Sequence, residues 1–177
     1  TVVDLSVYNP ISDWKALSKD VNGLIFRIGY RGSSTGKIMM DSSFAMHAKY
    51  ATNNNIPWGV YFFTTAINGA EGVEEAKWVL SALKNYNIHF PIFIDTEKGK
   101  DGGRSVNIPN VSRTAAIVGF CETIKAAGYD TGIYASDSWF KSKLIYSQIS
   151  KYKKWVASYS KQPVSVTSYV GWQHTSN

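Results

Sequence analysis

Phe90-Pro91-Ile92-Phe93-Ile94-Asp95-Thr96-Glu97 is an apolar run that leads directly into two carboxylates. A short apolar run with β-branched residues is typical of a buried strand in a parallel sheet, and Pro91 fits at its start. Because residues two apart in a strand point to the same face, Asp95 and Glu97 are expected to point together. The glycine-rich segment 98–103 then predicts a loop. The pair is therefore expected at the carboxyl end of a strand, where α/β sheets and barrels place their chemistry.

This pair of carboxylates has a chemical and a structural interpretation. Two neighbouring carboxylates repel, so one of them can keep its proton near neutral pH. A proton donor beside an anion is what the cleavage of a glycosidic bond requires. The structural alternative is that the pair caps the loop or forms ion pairs with Lys98 and Lys100. The spacing alone leaves both interpretations open.

The composition indicates a folded protein with a substantial core. The chain has 177 residues, of which 44% are hydrophobic and 18% charged, and this excludes the disordered class. Aromatic residues make up 14%, which favours a sugar-binding groove because rings stack on sugar faces, although aromatics also fill cores. No apolar run approaches the ~20 residues of a membrane span, so we expect no membrane partner.

The charge of the chain is positive and unevenly placed. The formal net charge is +6, and no acidic residue follows Asp137 although lysines continue to Lys161. Such a surface favours an anionic partner, such as a bacterial wall or nucleic acid, and a solvated basic face is the alternative. Because no nucleic-acid motif accompanies it, we expect no nucleic-acid partner.

The cysteine and histidine content argues against a disulfide framework and a metal site. Cys121 is the single cysteine, and its helical pattern with Ile117 and Ile124 predicts a buried thiol. The three histidines show no metal-ligand spacing, so we expect neither a metal nor another cofactor. They are His47, His89 and His174.

Strands and helices are predicted to alternate, which indicates a parallel α/β architecture. Strands are predicted over residues 2–6, 23–30, 57–64, 90–97, 131–136, 154–159 and 168–174. Helices are predicted after a cap at Ser12 or Asp13 and a cap at Asp41, over 69–86, up to residue 127, and less regularly over 139–150. Only a loop joins the last two strands, so strict alternation ends there.

Short motifs fall on these strands in a fixed order along the chain. They are Val3–Ser6, Phe26–Tyr30, Ile56–Phe63, Pro91–Glu97, Gly128-Tyr129 with Gly132–Ser136, Trp155–Tyr159 and Gly171–Ser176. Together they resemble the glycoside hydrolase family 25 lysozymes, the muramidases of the Chalaropsis type. The resemblance covers nearly the whole chain.

The resemblance implies a fold and an activity. The fold is a flattened TIM-like (β/α) barrel of eight strands and five helices, formed by residues 1–177 as a single catalytic domain. The activity is hydrolysis, with net retention, of the β-1,4 bond between N-acetylmuramic acid and N-acetylglucosamine in peptidoglycan. The protein would act as a monomer, outside the cell or at the cell wall, as a secreted bacterial or phage-borne enzyme. We recognise no signal peptide in the sequence.

The resemblance also implies roles for particular residues. Glu97 corresponds to the general acid of the family's Asp-x-Glu motif, Asp95 to its aspartate, and Asp4 to an early site aspartate. Asp95 would either attack the sugar or orient the N-acetyl group whose oxygen attacks, and the sequence does not separate these roles.

Four further residues are candidates for substrate binding. Tyr61, Tyr134 and Tyr159 lie near the carboxyl ends of separate predicted strands, and Gln173 lies on the last one. Hydroxyl groups and rings there would hydrogen-bond to and stack on the sugar. For the tyrosines, the alternative is a place in the barrel core.

The end of the sequence departs from the family pattern. Family members usually continue beyond the segment equivalent to Trp172–Ser176 into a last strand with one more site aspartate, whereas the given sequence ends at Asn177. Either a last strand is missing from the given sequence, or the barrel closes without it. Of the two we expect a gap in the barrel, with an unpaired edge at Val2–Leu5.

Two other functions compete with the muramidase. A catalytically weak cell-wall-binding module of the same fold is suggested by the missing aspartate and the lysine-rich end, but such a module has no need of an acid at Glu97. A chitinase-like barrel carries Asp-x-Asp-x-Glu, and Phe93 stands at the first of those positions.

Overall fold

The computed structural model describes residues 1–159 and 161–175, within which lie eight strands and six helices. The strands are β1 (Val2–Leu5), β2 (Gly23–Arg31), β3 (Ile38–Met40), β4 (Trp58–Phe63), β5 (Ile92–Asp95), β6 (Thr131–Ser136), β7 (Lys153–Ala157) and β8 (Gly171–Gln173). The helices are α1 (Trp14–Asp20), α2 (Phe44–Asn53), α3 (Gly69–Ala82), α4 (Asn110–Ala126), α5 (Asp137–Ser142) and α6 (Tyr146–Ile149). Ser176, the last residue of the final motif, lies outside the described residues. None of the helices in the described part of the chain has the length and apolar character that a membrane crossing needs.

The sheet confirms the predicted α/β class and curls toward a barrel. Its order is β1-β2-β4-β5-β6-β7-β8, and every neighbouring pair on this path is parallel. In a flat sheet β1 and β8 would lie six strand spacings apart, roughly 29 Å. Instead, the side chains of Asp4 on β1 and Gln173 on β8 are joined by a hydrogen bond of 2.9 Å. Contact between the two ends requires the sheet to curl.

The curled sheet does not close. Within the described residues β1 pairs only with β2, and β8 pairs only with β7, so both edges are open. The predicted gap is therefore confirmed, and Val2 on the free edge is half exposed. A cavity of about 500 Å³ occupies the amino end of the gap, with Phe90, Phe93, Trp155 and Trp172 among its lining residues.

Three features differ from the sequence-based expectation. The antiparallel strand β3, which pairs Met40 with Gly29 of β2, was not predicted, because three residues are too few to show an alternating pattern. The predicted irregular helix over 139–150 consists of α5 and α6. Asp41 was predicted to cap a helix, but Ser43 occupies the N-cap position of α2 and Asp41 has a tertiary role described below.

The alternation of side chains divides the sheet into two faces. On β4, β5 and β7 the residues with even numbers pack outward under the helices, as Val60, Phe62 and Ile94 do. The odd-numbered residues of these three strands point into the barrel, where Phe93 and Trp155 belong to a smaller, mostly aromatic cluster. On β6 the parity is reversed, and Tyr134 points inward. Asp95 has the same parity as Phe93 and therefore points inward.

Cys121 lies in the outer core on α4, as predicted. It is fully buried, and burial raises the pKa of its thiol to about 12. Thr131 donates a hydrogen bond to its Sγ. Such a thiol is neutral at physiological pH and unreactive.

Helices α3 and α4 are in close backbone contact at Gly72. A Cβ atom added there would lie 1.9 Å from the carbonyl oxygen of Ala116 on α4. Because that obstacle is helical backbone, a rotamer change cannot relieve the clash, and the two helices would have to separate. Gly69, on the same helix, offers a comparison, since a Cβ there would meet nothing nearer than 3.4 Å.

Gly72→Ala is expected to lower the free energy of unfolding by about 2–3 kcal/mol, because overpacking outweighs the ~1 kcal/mol gain in helix propensity. Gly69→Ala is the matched control and should leave stability within about 1 kcal/mol of the parent. Urea unfolding followed by circular dichroism measures both. Equal stability of the Gly72 variant and the parent would contradict this close helix contact.

A buried ion pair links α3 to the carboxyl end of β2. Nε of Arg31 donates to Oε1 of Glu75 over 2.7 Å, and the Glu75 side chain is fully buried. Burial raises the pKa of Glu75 to about 7, and the hydrogen bond from Arg31 offsets only part of this effect. In the unfolded chain a glutamate titrates near its usual value of about 4.3.

Stability should therefore fall as the pH rises from about 4.5 to 7, since the unfolded chain releases the Glu75 proton before the folded one does. Glu75→Gln removes this dependence, so its stability relative to the parent should increase across that range. The measurement is the urea midpoint at several pH values. Glu74→Gln, which removes the exposed neighbouring carboxylate, controls for the loss of a charge. If the difference in stability between Glu75→Gln and the parent is the same at every pH, the raised pKa of Glu75 is wrong.

Candidate active site

A small recess at the carboxyl ends of the strands brings together five of the residues predicted from the sequence. Its volume is about 70 Å³. The lining consists of Asp4, Tyr61, Asp95, Glu97, Tyr134 and Trp155. Asp95 and Glu97 thus share one recess, as the two-residue repeat of a strand predicts.

Backbone pairing holds the carboxylate segment in place beyond the end of β5. Asp95 is in register with Phe63 on one side and Tyr134 on the other. Past the strand, the Asp95 carbonyl accepts from Thr64 N over 3.0 Å, and Thr96 N donates to the Tyr134 carbonyl over 3.0 Å. Glu97 is therefore held on an extended, hydrogen-bonded chain.

The two carboxyl groups occupy different environments. Asp95 is buried, and its Oδ1 has no hydrogen-bond partner among the described residues. The pKa of Asp95 is raised well above its usual value, mainly by burial and to a smaller extent by the charges of Glu97 and Asp4. The positive charge of Arg27 opposes this increase. Glu97 remains exposed on one side. Its pKa is raised as well, mainly by partial burial and to a smaller extent by the charge of Asp4. The raised pKa values of both carboxyl groups favour protonation of the pair, and Glu97 can present a proton at the solvent side of the recess.

Gln173 is the centre of a hydrogen-bond network at the rim. Its Oε1 accepts from the hydroxyls of Tyr134 at 2.5 Å and Tyr159 at 3.2 Å, and its Nε2 donates to Oδ2 of Asp4 at 2.9 Å. Burial raises the pKa of Asp4, and the hydrogen bond from Gln173 partly offsets the effect. All seven predicted site residues are therefore either in the recess or connected to it by this network. Gln173 is more central than its place on the last strand indicated.

Trp155 belongs to both the inner core cluster and the recess. Its ring lies 4.7 Å from that of Tyr134 and 5.4 Å from that of Phe93, measured between centroids. It also lines the recess beside Asp95. It therefore supports Tyr134 from within the barrel.

Arg27 was not predicted as a site residue from the sequence. An arginine in the middle of an apolar strand nevertheless indicates a specific interaction, because a buried charge needs a partner. That partner is Asp41, whose Oδ2 accepts from Nε of Arg27 over 2.7 Å. Arg27 is in register with Tyr61, which lines the recess. It is thus a charged neighbour of the site.

The histidines lie away from the recess. His47 is buried on α2 against Trp14 and Phe26, and burial lowers its pKa. Within residues 1–159 and 161–175, no three side chains of the His, Cys, Asp and Glu types converge as a metal site would require.

Comparison with known proteins relates this chain to one family. Residues 3–177 match the family model described as Glycosyl hydrolases family 25. None of the curated proteins matches the sequence.

Solved structures of similar fold include wall-associated enzymes. The modular autolysin LytC from Streptococcus pneumoniae, in complex with a synthetic peptidoglycan ligand, is 28% identical with a TM-score of 0.82, covering 99% of this chain and 42% of that one. The catalytic domain of endolysin ply40, from bacteriophage P40 of Listeria monocytogenes, is 26% identical with a TM-score of 0.78, covering 99% and 84%. A family 25 glycosyl hydrolase from Bacillus anthracis, 20% identical with a TM-score of 0.77 and covering 98% and 77%, shares the fold. The present chain thus spans less than half of the autolysin.

Proposed function

Because this chain belongs to glycosyl hydrolases family 25, we propose that it hydrolyses peptidoglycan at the β-1,4 bond between N-acetylmuramic acid and N-acetylglucosamine, with net retention. The observation that carries the proposal is the recess in which a buried Asp95 and an accessible Glu97 both have raised pKa values. The autolysin of similar fold was solved with a synthetic peptidoglycan ligand, which supports the choice of substrate.

Glu97 acts as the general acid and then as the base. Burial and the charge of Asp4 raise the pKa of Glu97 and so favour its protonated form, which donates a proton to the glycosidic oxygen as the bond to the anomeric carbon breaks. The resulting carboxylate then removes a proton from the water that completes hydrolysis. Its partial exposure suits this second role, because water reaches it directly.

Asp95 orients the N-acetyl group of the substrate. Its buried, unpartnered Oδ1 needs a donor, and the N–H of the N-acetyl group supplies one. This hydrogen bond favours the anionic form of Asp95 and leaves the shared proton on Glu97. The acetyl oxygen then attacks the anomeric carbon, and Asp95 stabilises the positive charge that develops. Direct attack by Asp95 is the alternative, and its burial disfavours that role.

The remaining site residues determine the electrostatic potential and the shape of the recess. Asp4, positioned by Gln173, contributes the negative charge that helps to keep Glu97 protonated. Tyr61 and Tyr134 line the recess, and Tyr159, half exposed at the rim, supplies a ring and a hydroxyl to a sugar. Peptidoglycan glycan strands are the partner that these groups fit.

The setting of the reaction follows from the substrate. A hydrolase of peptidoglycan acts outside the cell or at the wall, as a secreted or phage-borne enzyme. We propose that residues 1–177 form its single catalytic domain and act as a monomer, because the recess and its network are built from one chain.

The test combines clearing with product analysis. Purified Gram-positive walls are incubated with the protein, turbidity is followed, and the new reducing ends are identified by mass spectrometry after borohydride reduction. We expect clearing and reduced muramic acid ends. Reduced glucosamine ends would show that the other glycosidic bond is cleaved. Protein that pellets with the walls without clearing them would instead identify a wall-binding module.

A further inference from the structure

Arg27 lies beside the recess but has no role in the chemistry proposed above. It is in register with Tyr61 on the neighbouring strand, so the two side chains leave the sheet side by side on its concave face. Tyr61 in turn lines the recess with Asp95 and Glu97. The positive charge of Arg27 is near enough to oppose the increase that burial causes in the pKa of Asp95 and of Tyr61. A group bound at Arg27 would therefore be adjacent to the reacting bond.

The guanidinium group is held by a rigid acceptor. Nε of Arg27 donates to Oδ2 of Asp41 over 2.7 Å, and the Asp41 side chain is fully buried. Oδ1 of Asp41 accepts from the backbone N and the hydroxyl of Ser43, at 2.9 and 2.6 Å. Val7 N also donates to Oδ2 of Asp41, at 3.2 Å. Asp41 follows directly after β3, so that short hairpin positions the acceptor.

Two tyrosine rings enclose the same guanidinium. The centroids of Tyr8 and Tyr30 each lie 5.1 Å from Cζ of Arg27. Tyr8 is 79% exposed, an unusual state for a large ring, and it lies on the loop that follows Asp4. Asp41 engages only Nε, and Tyr8 is a second side-chain hydrogen-bond partner of the guanidinium. Because a guanidinium carries five N–H donors, Arg27 keeps further donors for a ligand on the side away from Asp41. The Arg27 side chain is 13% exposed, which leaves those nitrogens a path to solvent.

The chemistry of these groups selects a carboxylate. A guanidinium binds a carboxylate through paired N–H donors, and a neighbouring aromatic ring accommodates the apolar part of the ligand. The recess itself carries three carboxyl groups, on Asp4, Asp95 and Glu97, which repel an anionic substrate. A cation at the edge of the recess would offset that repulsion for a substrate with an acidic substituent.

We propose that Arg27, with Tyr8 beside it, forms a subsite for a carboxylate on the substrate, carried by the lactyl or stem-peptide substituent of the muramic residue next to the cleaved bond. This inference rests on the proposed function and adds a basis for selectivity. Chitin has the same β-1,4-linked N-acetylglucosamine backbone but no such carboxylate. Arg27 thus distinguishes acidic wall glycans from neutral ones, and Glu97 and Asp95 perform the reaction on either.

The test compares three substrates that share one glycan backbone and differ in the substituent on the lactyl group. The first is soluble glycan strands with free lactyl carboxylates, prepared by removing the stem peptides. The second is the same strands with these carboxylates converted to methyl amides, and the third keeps the stem peptides with their own carboxylates. We expect the parent protein to show roughly 10- to 100-fold higher kcat/KM on a carboxylate-bearing strand than on the neutralised one. A preference for the first strand identifies the lactyl group, and a preference for the third alone identifies the stem peptide.

Variants assign the preference to Arg27. Arg27→Met combined with Asp41→Asn removes both charges and leaves no buried unpaired carboxylate, and it should erase the preference, so that the ratio of kcat/KM on the charged strand to that on the neutralised strand falls to about one. Arg27→Lys keeps the charge without the paired donors and should give an intermediate preference. Lys84→Met is the control, because it removes an exposed positive charge just beyond the end of α3. This variant should keep the preference for the carboxylate-bearing strand. Thermal unfolding verifies that each variant is folded.

The outcomes separate this inference from the proposed function. If the parent cleaves charged and neutralised strands equally well, the carboxylate subsite is wrong and the hydrolase stands. A preference that survives in the folded double variant also overturns the assignment to Arg27. If the parent cleaves none of the strands, both proposals fail. If the double variant does not fold, the proposal is still tested by the parent's activity on the three strands and by the preference of Arg27→Lys.

Discussion

Glu97→Gln should lower kcat on peptidoglycan by about 10³-fold or more, since general acid catalysis contributes ~10²–10⁴ and the amide cannot donate the proton that the leaving oxygen needs. Substrate binding should be nearly unchanged, because glutamine has the same shape. Initial rates of release of reducing ends from purified walls measure the effect. Thermal unfolding of the variant confirms that the fold is intact.

The control for Glu97→Gln is Glu122→Gln, which removes a carboxylate on the outer face of α4. The Glu122 side chain is 49% exposed and pairs with Lys151. This variant should retain activity within about two-fold, as is usual for surface substitutions. A folded Glu97→Gln protein that clears walls within a few-fold of the parent rate would show that another group is the acid.

Asp95→Ala is expected to reduce kcat by a similar factor, about 10²–10⁴, because it removes both the acceptor for the N-acetyl group and the anion that stabilises the transition state. Asp20→Asn, at the exposed end of α1, is the control for charge and should have little effect. The Ala variant also separates the two roles of Asp95. We expect no glycosyl azide when it is incubated with substrate and sodium azide, since the acetyl oxygen, and not Asp95, forms the bond to carbon. Formation of the azide together with restored turnover would identify Asp95 as the nucleophile.

Local patterns in the chain predict most of this architecture. The parallel strands were predicted because each is a short apolar run between loop signals, and β5 ends at Asp95, inside the predicted range. The common orientation of Asp95 and Glu97 follows from the two-residue repeat of an extended chain, which depends on no distant residue. The cap at Asp13 is equally local, since its Oδ1 accepts from Ala16 N three residues later.

The features that escaped prediction depend on segments far apart in the chain. Gln173 reaches Asp4 across 169 positions only because the sheet curls, and that curl is the sum of small rotations between many strands. Asp41 has the sequence signature of a helix cap, yet Arg27 on β2 engages it, because a buried guanidinium needs an anion more than the helix needs a cap. The positions of the parallel strands and the common orientation of Asp95 and Glu97 are therefore determined by local sequence patterns. The network around Asp4 and the subsite at Arg27 exist only once the sheet has brought its distant strands to one edge.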